Sequence, residues 1–143
     1  MRHINDAGLD IIKKSENCFL KAYRCPAGIP TVGWGCTGPD INMGTVWTQE
    51  EADKRLREHL DLTEQCVERH VEVPISDNAF SALVALVYNI GCGAFSGSTL
   101  LRKLNAGDMA GAQTEFKRWN KSRGAVLNGL TTRRAAEAEL FGA

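Results

Sequence analysis

A chain of 143 residues whose seventeen basic and seventeen acidic side chains cancel is one ordinary domain in length, and it carries no global field for nucleic acid or an anionic membrane. Its five cysteines, Cys18, Cys25, Cys36, Cys66 and Cys92, are an odd number without a C-x-x-C pair, which matches no zinc framework; no metal or cofactor is expected, and a set of reduced thiols is the simplest reading. With no basic segment leading into an apolar N-terminal core and no run of about 18 apolar residues, neither an export signal nor stable membrane association is expected.

Asn5 or Asp6 can cap a first helix in which Leu9 and Ile12 make an apolar stripe whose next member is Glu16. A carboxylate on an apolar stripe is normally paired or functional. Leu20 to Arg24 and Thr31 to Trp34 have strand composition and flank Pro26-Ala27-Gly28-Ile29-Pro30, which predicts a β-hairpin, extended by a third strand near Thr45 to Trp47. Thr48-Gln49-Glu50-Glu51 is a capping-box pattern opening a helix to about Arg69, with Ala52, Leu56, Leu60, Thr63 and Val67 on one stripe.

Ser76 caps a strongly apolar helix, Ala79 to Ile90, placed to be the central core helix and closed by a left-handed cap at Gly91. Three shorter helices follow: Ser98 to Asn105, Asp108 to Trp119, and about Thr131 to Phe141, the last capped near Asn128 or Leu130. The C-terminal two thirds is expected to be all helix, with no repeat or linker.

The chemistry gathers between Glu16 and Thr37. Glu16 ends a helix, near the negative pole of its macrodipole and on an apolar face; both oppose ionisation and suit a general acid. Taken alone, Glu16 reads rather as a helix-closing residue pointing to water, Cys25 as a space-filling thiol and Thr31 as a strand former. Their combination is more specific.

Glu16, eight residues, Cys25, five residues, Thr31, then Val32-Gly33-Trp34-Gly35 resembles the active-site signature of the phage-type lysozymes, the endolysins of glycoside hydrolase family 24. Lys21-Ala22-Tyr23 and Gly28-Ile29-Pro30-Thr31-Val32-Gly33 are similar to its lambdoid-phage branch. Val87 to Gly91, Ala94-Phe95, Ser98 to Asn105, Phe116 to Trp119 and Gly129 to Arg134 match the family's C-terminal blocks in order. The resemblance implies an α+β, mostly helical lysozyme-like fold in a single domain over 1–143. A small β lobe at about 15–50 would be joined by a long helix to a helical lobe at about 70–143, on which the first helix packs, with a cleft between.

The implied activity is hydrolysis of the β-1,4 bond between N-acetylmuramic acid and N-acetylglucosamine in peptidoglycan, with host-cell lysis. Glu16 would be the acid, and Thr31 with Cys25 would hold a water for inversion. The resemblance further implies Tyr88 and Asn89 as substrate-facing residues and Arg133 as a cation near Glu16. It implies a monomer that acts on glycan strands and waits in the host cytoplasm for a separate holin-type protein.

Cys25 leaves open whether it is base, nucleophile or water anchor. Cys36 stands where the family usually has His, so a polar support of the hairpin is expected to be missing or replaced, and an oxidative link between Cys25 and Cys36 is conceivable. Other readings are a lytic transglycosylase, a Cys25 peptidase and an inactive wall-binding module. The peptidase lacks a histidine partner, because His3, His59 and His70 lie in a leading segment and on the charged face of a helix.

Overall fold

The computed structural model describes residues 2–122 and 124–143. Helix α1 (Asp6–Glu16) opens where the Asn5 side chain accepts the Gly8 amide and stops at Asn17, whose φ of 57° turns the chain sharply. That stop leaves Glu16 at the corner between helix and hairpin. Ile12 is fully buried, and α1 packs on two later helices, Asp77–Ile90 and Asn128–Phe141.

Strands β1 (Phe19–Arg24) and β2 (Pro30–Gly33) pair antiparallel, with Tyr23 opposite Thr31 and Arg24 opposite Pro30. The expected third strand is reduced to one bridge, Lys21 with Val46, flanked by bonds from the Ala22 amide to the Thr45 carbonyl and from the Trp47 amide to the Leu20 carbonyl. It has no room to extend, because a turn at Asn42 to Thr45 precedes it and a helix cap at Thr48 follows. Ala22, Val32, Cys36 and Ile41 bury one another beneath Trp47 as a small core of their own.

Helix α2 (Gln49–His70) is capped by Thr48, runs one residue past the expected end and spans about 33 Å at 1.5 Å per residue. Ser76 caps α3 (Asp77–Ile90), in which every residue from Ala79 to Tyr88 is buried, as a central core helix requires. Gly91 closes it with φ 91° and ψ 156°, a glycine conformation different from the expected left-handed cap. A short α4 (Cys92–Ser96) then precedes α5 (Thr99–Asn105), capped by Ser98, and α6 (Met109–Glu115), capped by Asp108.

Three expectations for the C-terminal part need correcting. The helix expected over Asp108 to Trp119 tightens into a 3-10 turn at Phe116–Arg118. The all-helical reading is interrupted by a small hairpin, β3 (Lys121–Ser122) with β4 (Ala125–Val126), whose strands are too short to leave a period in the sequence. Helix α7 (Asn128–Phe141) starts earlier than expected; Asn128 is already helical and no side chain caps it.

Cys66 and Cys92 form a disulfide that closes a 26-residue separation, while Cys18, Cys25 and Cys36 are free. The wholly reduced set is thereby corrected: only the fold brings the last turn of α2 and the first residue of α4 to a Cα separation of 6.0 Å, within bridging range. Cross-linking a loop of this length restricts the unfolded chain and stabilises by roughly 3 kcal/mol. Urea denaturation with and without a phosphine reductant is expected to show a loss of about that size on reduction.

Candidate active site

Glu16 lies with Cys25 and Thr31 along one cleft of about 510 Å³. The β1–β2 turn and Gly35 form one wall; Tyr88 and Asn89 at the end of α3 form another. Trp119, the β3–β4 hairpin residues Lys121 and Ser122, and Leu130 at the start of α7 close the third side. This third side was not foreseen from the sequence, because nothing local marks a two-residue strand.

The Glu16 side chain is 18% exposed, and its Oε2 accepts a hydrogen bond from Arg133 at 2.7 Å. Arg133 is itself buried beneath the carboxylate; it also donates to Glu137 Oε2 at 3.0 Å and to the Ala85 carbonyl at 3.0 Å. Arg134 bonds Glu137 Oε1, the Trp119 carbonyl and Asn89 Oδ1. One buried network thus joins α1, α3 and α7 directly under the cleft. Arg133 was expected near Glu16, and Arg134 and Glu137 were missed. Their signal was the R-R-x-x-E spacing at Arg133 to Glu137, which sets three charges on adjoining positions of one helix face.

Gly35 has a φ of 83°, and a Cβ there would lie 2.5 Å from Glu16 Oε1. Glycine is required twice at this position, for the backbone and for the approach of the carboxylate. On the hairpin, the buried Thr31 hydroxyl donates to the Ile29 carbonyl at 2.9 Å, and it also lies within hydrogen-bond reach of the Cys25 thiol. Partial burial opposes the Cys25 thiolate, but the Ile29 and Ala27 amides and the Thr31 hydroxyl outweigh it and hold this thiol below the ordinary cysteine range.

Cys36 differs in kind. Burial pushes its thiol up, against the opposing pull of Arg55, and its backbone pairs with Val32 in a tight turn through bonds of 2.8 and 3.0 Å. It fills the small core beneath Trp47, and the two backbone bonds hold the hairpin end to which a polar support had been assigned.

Tyr88 is buried and donates from its hydroxyl to the Trp34 carbonyl at 2.5 Å. Asn89 is exposed at the cleft, where Arg134 anchors its Oδ1. His59 departs from expectation: it lines the cleft and stacks on Tyr88 at a centroid distance of 4.0 Å. The charged-face assignment failed because α2 turns its His59 flank toward α3, where the Tyr88 ring covers it.

The profile of the family described as Phage lysozyme matches residues 13–137. The chain is 44% identical over 143 residues to an endolysin of Acyrthosiphon pisum secondary endosymbiont phage 1, covering 97% of each chain. It is 37% identical over 145 residues to an endolysin of Salmonella phage P22, covering 99% of each. Among solved structures, the muramidase domain of SpmX from Asticaccaulis excentricus superposes with a TM-score of 0.86 at 35% identity, covering 99% of both chains.

Two outcomes are expected from this geometry. Because the thiolate is the form that alkylates, Cys25 in the folded protein should react with iodoacetamide at a lower pH than it does in urea, and well ahead of Cys36; peptide mass spectrometry after timed labelling measures both. Gly35→Ala should cost about 1–3 kcal/mol of stability from backbone strain alone and displace Glu16, so that residual activity falls further than the thermal midpoint explains.

Proposed function

The chain belongs to the phage lysozyme family and is a glycosidase, and we propose that it is an endolysin muramidase. It hydrolyses the β-1,4 bond between N-acetylmuramic acid and N-acetylglucosamine in bacterial peptidoglycan, with inversion. The observation that carries this reading is the placing of Glu16, Cys25 and Thr31 along one cleft, with one oxygen of Glu16 taken by Arg133.

In this mechanism Glu16 Oε1, the oxygen left by Arg133, delivers a proton to the glycosidic oxygen as the bond to the muramic-acid C1 breaks. Positive charge develops on that sugar ring. A water held by Thr31 and Cys25 attacks C1 from the opposite face, and its proton passes to the Cys25 thiolate. What supports the thiolate as base is its set of hydrogen-bond donors at the hairpin turn. Tyr88 and Asn89 at the cleft wall contact the glycan, and Arg133 serves the substrate through Glu16.

The domain reading follows the same lines: residues 1–143 act as one unit whose hairpin region (about 15–50) and helical region (about 70–143) grip the glycan strand from two sides. The protein works as a monomer, with no nucleic acid, metal or cofactor. It waits in the host cytoplasm until a holin-type protein opens the inner membrane. No helix among the described residues is long and apolar enough to cross a membrane.

Glu16→Gln should lower the clearing of outer-membrane-permeabilised Gram-negative cells by at least about a hundredfold while the circular dichroism spectrum is unchanged. Wild-type digestion should release reducing-end N-acetylmuramic acid, first as the α anomer by NMR. Clearing retained by Glu16→Gln would remove the acid assignment; anhydro-muramic products would replace hydrolysis by transglycosylation.

A further inference from the structure

His59 has no part in the chemistry just described, yet its surroundings connect it to the acid. Its ring stacks on that of Tyr88 at 4.0 Å with a 29° tilt. The Tyr88 hydroxyl reaches past α3 to the Trp34 carbonyl at 2.5 Å. Trp34 precedes Gly35, which is pressed so close to Glu16 that no Cβ fits between them. The Trp34 indole is pinned at its far end, its N–H donating to Asp53 Oδ1 at 2.9 Å and its ring facing the Lys13 ammonium at 5.3 Å. The loop that touches the acid is closed at its base by the two Val32–Cys36 backbone bonds, and between them the Trp34 carbonyl, next to Gly35, is held by the Tyr88 hydroxyl.

The O–H bond of a phenol prefers the plane of its ring, so the ring plane aims the hydroxyl hydrogen, and a flat neighbour at stacking distance fixes that plane. We propose that His59 is a positioning residue for the acid: by stacking on Tyr88 it keeps the hydroxyl on the Trp34 carbonyl and so keeps Gly35 against Glu16. The proposal rests on the muramidase reading.

The charged and titratable groups around the ring are Glu16 from α1, Cys36 from the turn after β2, Tyr88 from α3, and Arg55 and Glu58 from α2 itself. Burial lowers the imidazole's affinity for a proton, more than the Glu16 charge raises it. The ring therefore acts at neutral pH as an uncharged plate, a role a benzene ring can fill.

Four variants test this in a soluble-peptidoglycan assay that separates kcat from KM. His59→Ala is expected to lose about tenfold or more in kcat with KM within about twofold. Tyr88→Phe, which deletes the hydroxyl bonded to the Trp34 carbonyl and keeps the ring that lines the cleft, should reproduce that loss in kcat, and the double variant should be no worse than either single one, since both break the same link. His59→Phe should recover most of kcat. A KM effect at unchanged kcat would make His59 a sugar contact, additive losses would make the two residues independent, and failure of His59→Phe would remove the stacking role; any of the three overturns the proposal.

If His59→Ala does not fold, Tyr88→Phe and His59→Phe still decide. The Trp34 indole N–H resonance reads the link without activity, and it should shift alike in His59→Ala and Tyr88→Phe and hold its place in His59→Phe; unlike shifts overturn the proposal. A wild-type protein that releases no reducing sugar would sink the muramidase reading alone and leave the resonance test standing.

Discussion

Burying a guanidinium strips it of water at a cost of several kcal/mol, and the fold of this protein is arranged to offset that cost at Arg133. Its three nitrogens find Glu16 at 2.7 Å, Glu137 at 3.0 Å and the Ala85 carbonyl at 3.0 Å, one partner from each of α1, α7 and α3. Removing any one of these would leave a buried charge short of a partner. The acid of the proposed reaction is thus also a structural partner of the helical core, and its position follows from packing that lies outside the hairpin.

Against that core the hairpin is a lighter structure, with four buried apolar residues beneath one tryptophan. It meets Glu16 through a glycine, where no side chain stands in the way, and the Tyr88 hydroxyl of α3 holds it at the Trp34 carbonyl. Cys25 and Thr31 ride on this element, so their distance from Glu16, between the proposed water site and the proposed acid, depends on how firmly the hairpin is tied down. The disulfide strengthens the far end of α2 instead, away from the cleft, where it joins the connecting helix to the corner that leads into α5.

Several elements were legible because their causes are local. Asn5, Thr48, Ser76, Ser98 and Asp108 each cap the helix they precede with their own side chain, a contact made within three residues along the chain. The apolar run from Ala79 to Tyr88 was the best candidate for a central core helix, and every residue of it is buried in α3. The β3–β4 hairpin escaped notice because two residues cannot show a period, and the start of α7 because no side chain marks it. At Cys36 a polar support of the hairpin was expected to be missing or replaced; its side chain fills the small core and its backbone bonds to Val32 hold the turn.

By itself the sequence determined five side-chain helix caps, the β1–β2 hairpin and the spacing of Glu16, Cys25 and Thr31, since each depends on neighbours within a few turns of chain, while the α+β class came from the family resemblance those residues carry. Only the tertiary structure decided that Cys66 pairs with Cys92, that Arg134 and Glu137 complete the network under Glu16, and that His59 faces the cleft. Those contacts join residues from separate helices or rest on which flank of a helix is buried. Such choices are set by the packing of whole elements, and no local propensity encodes them.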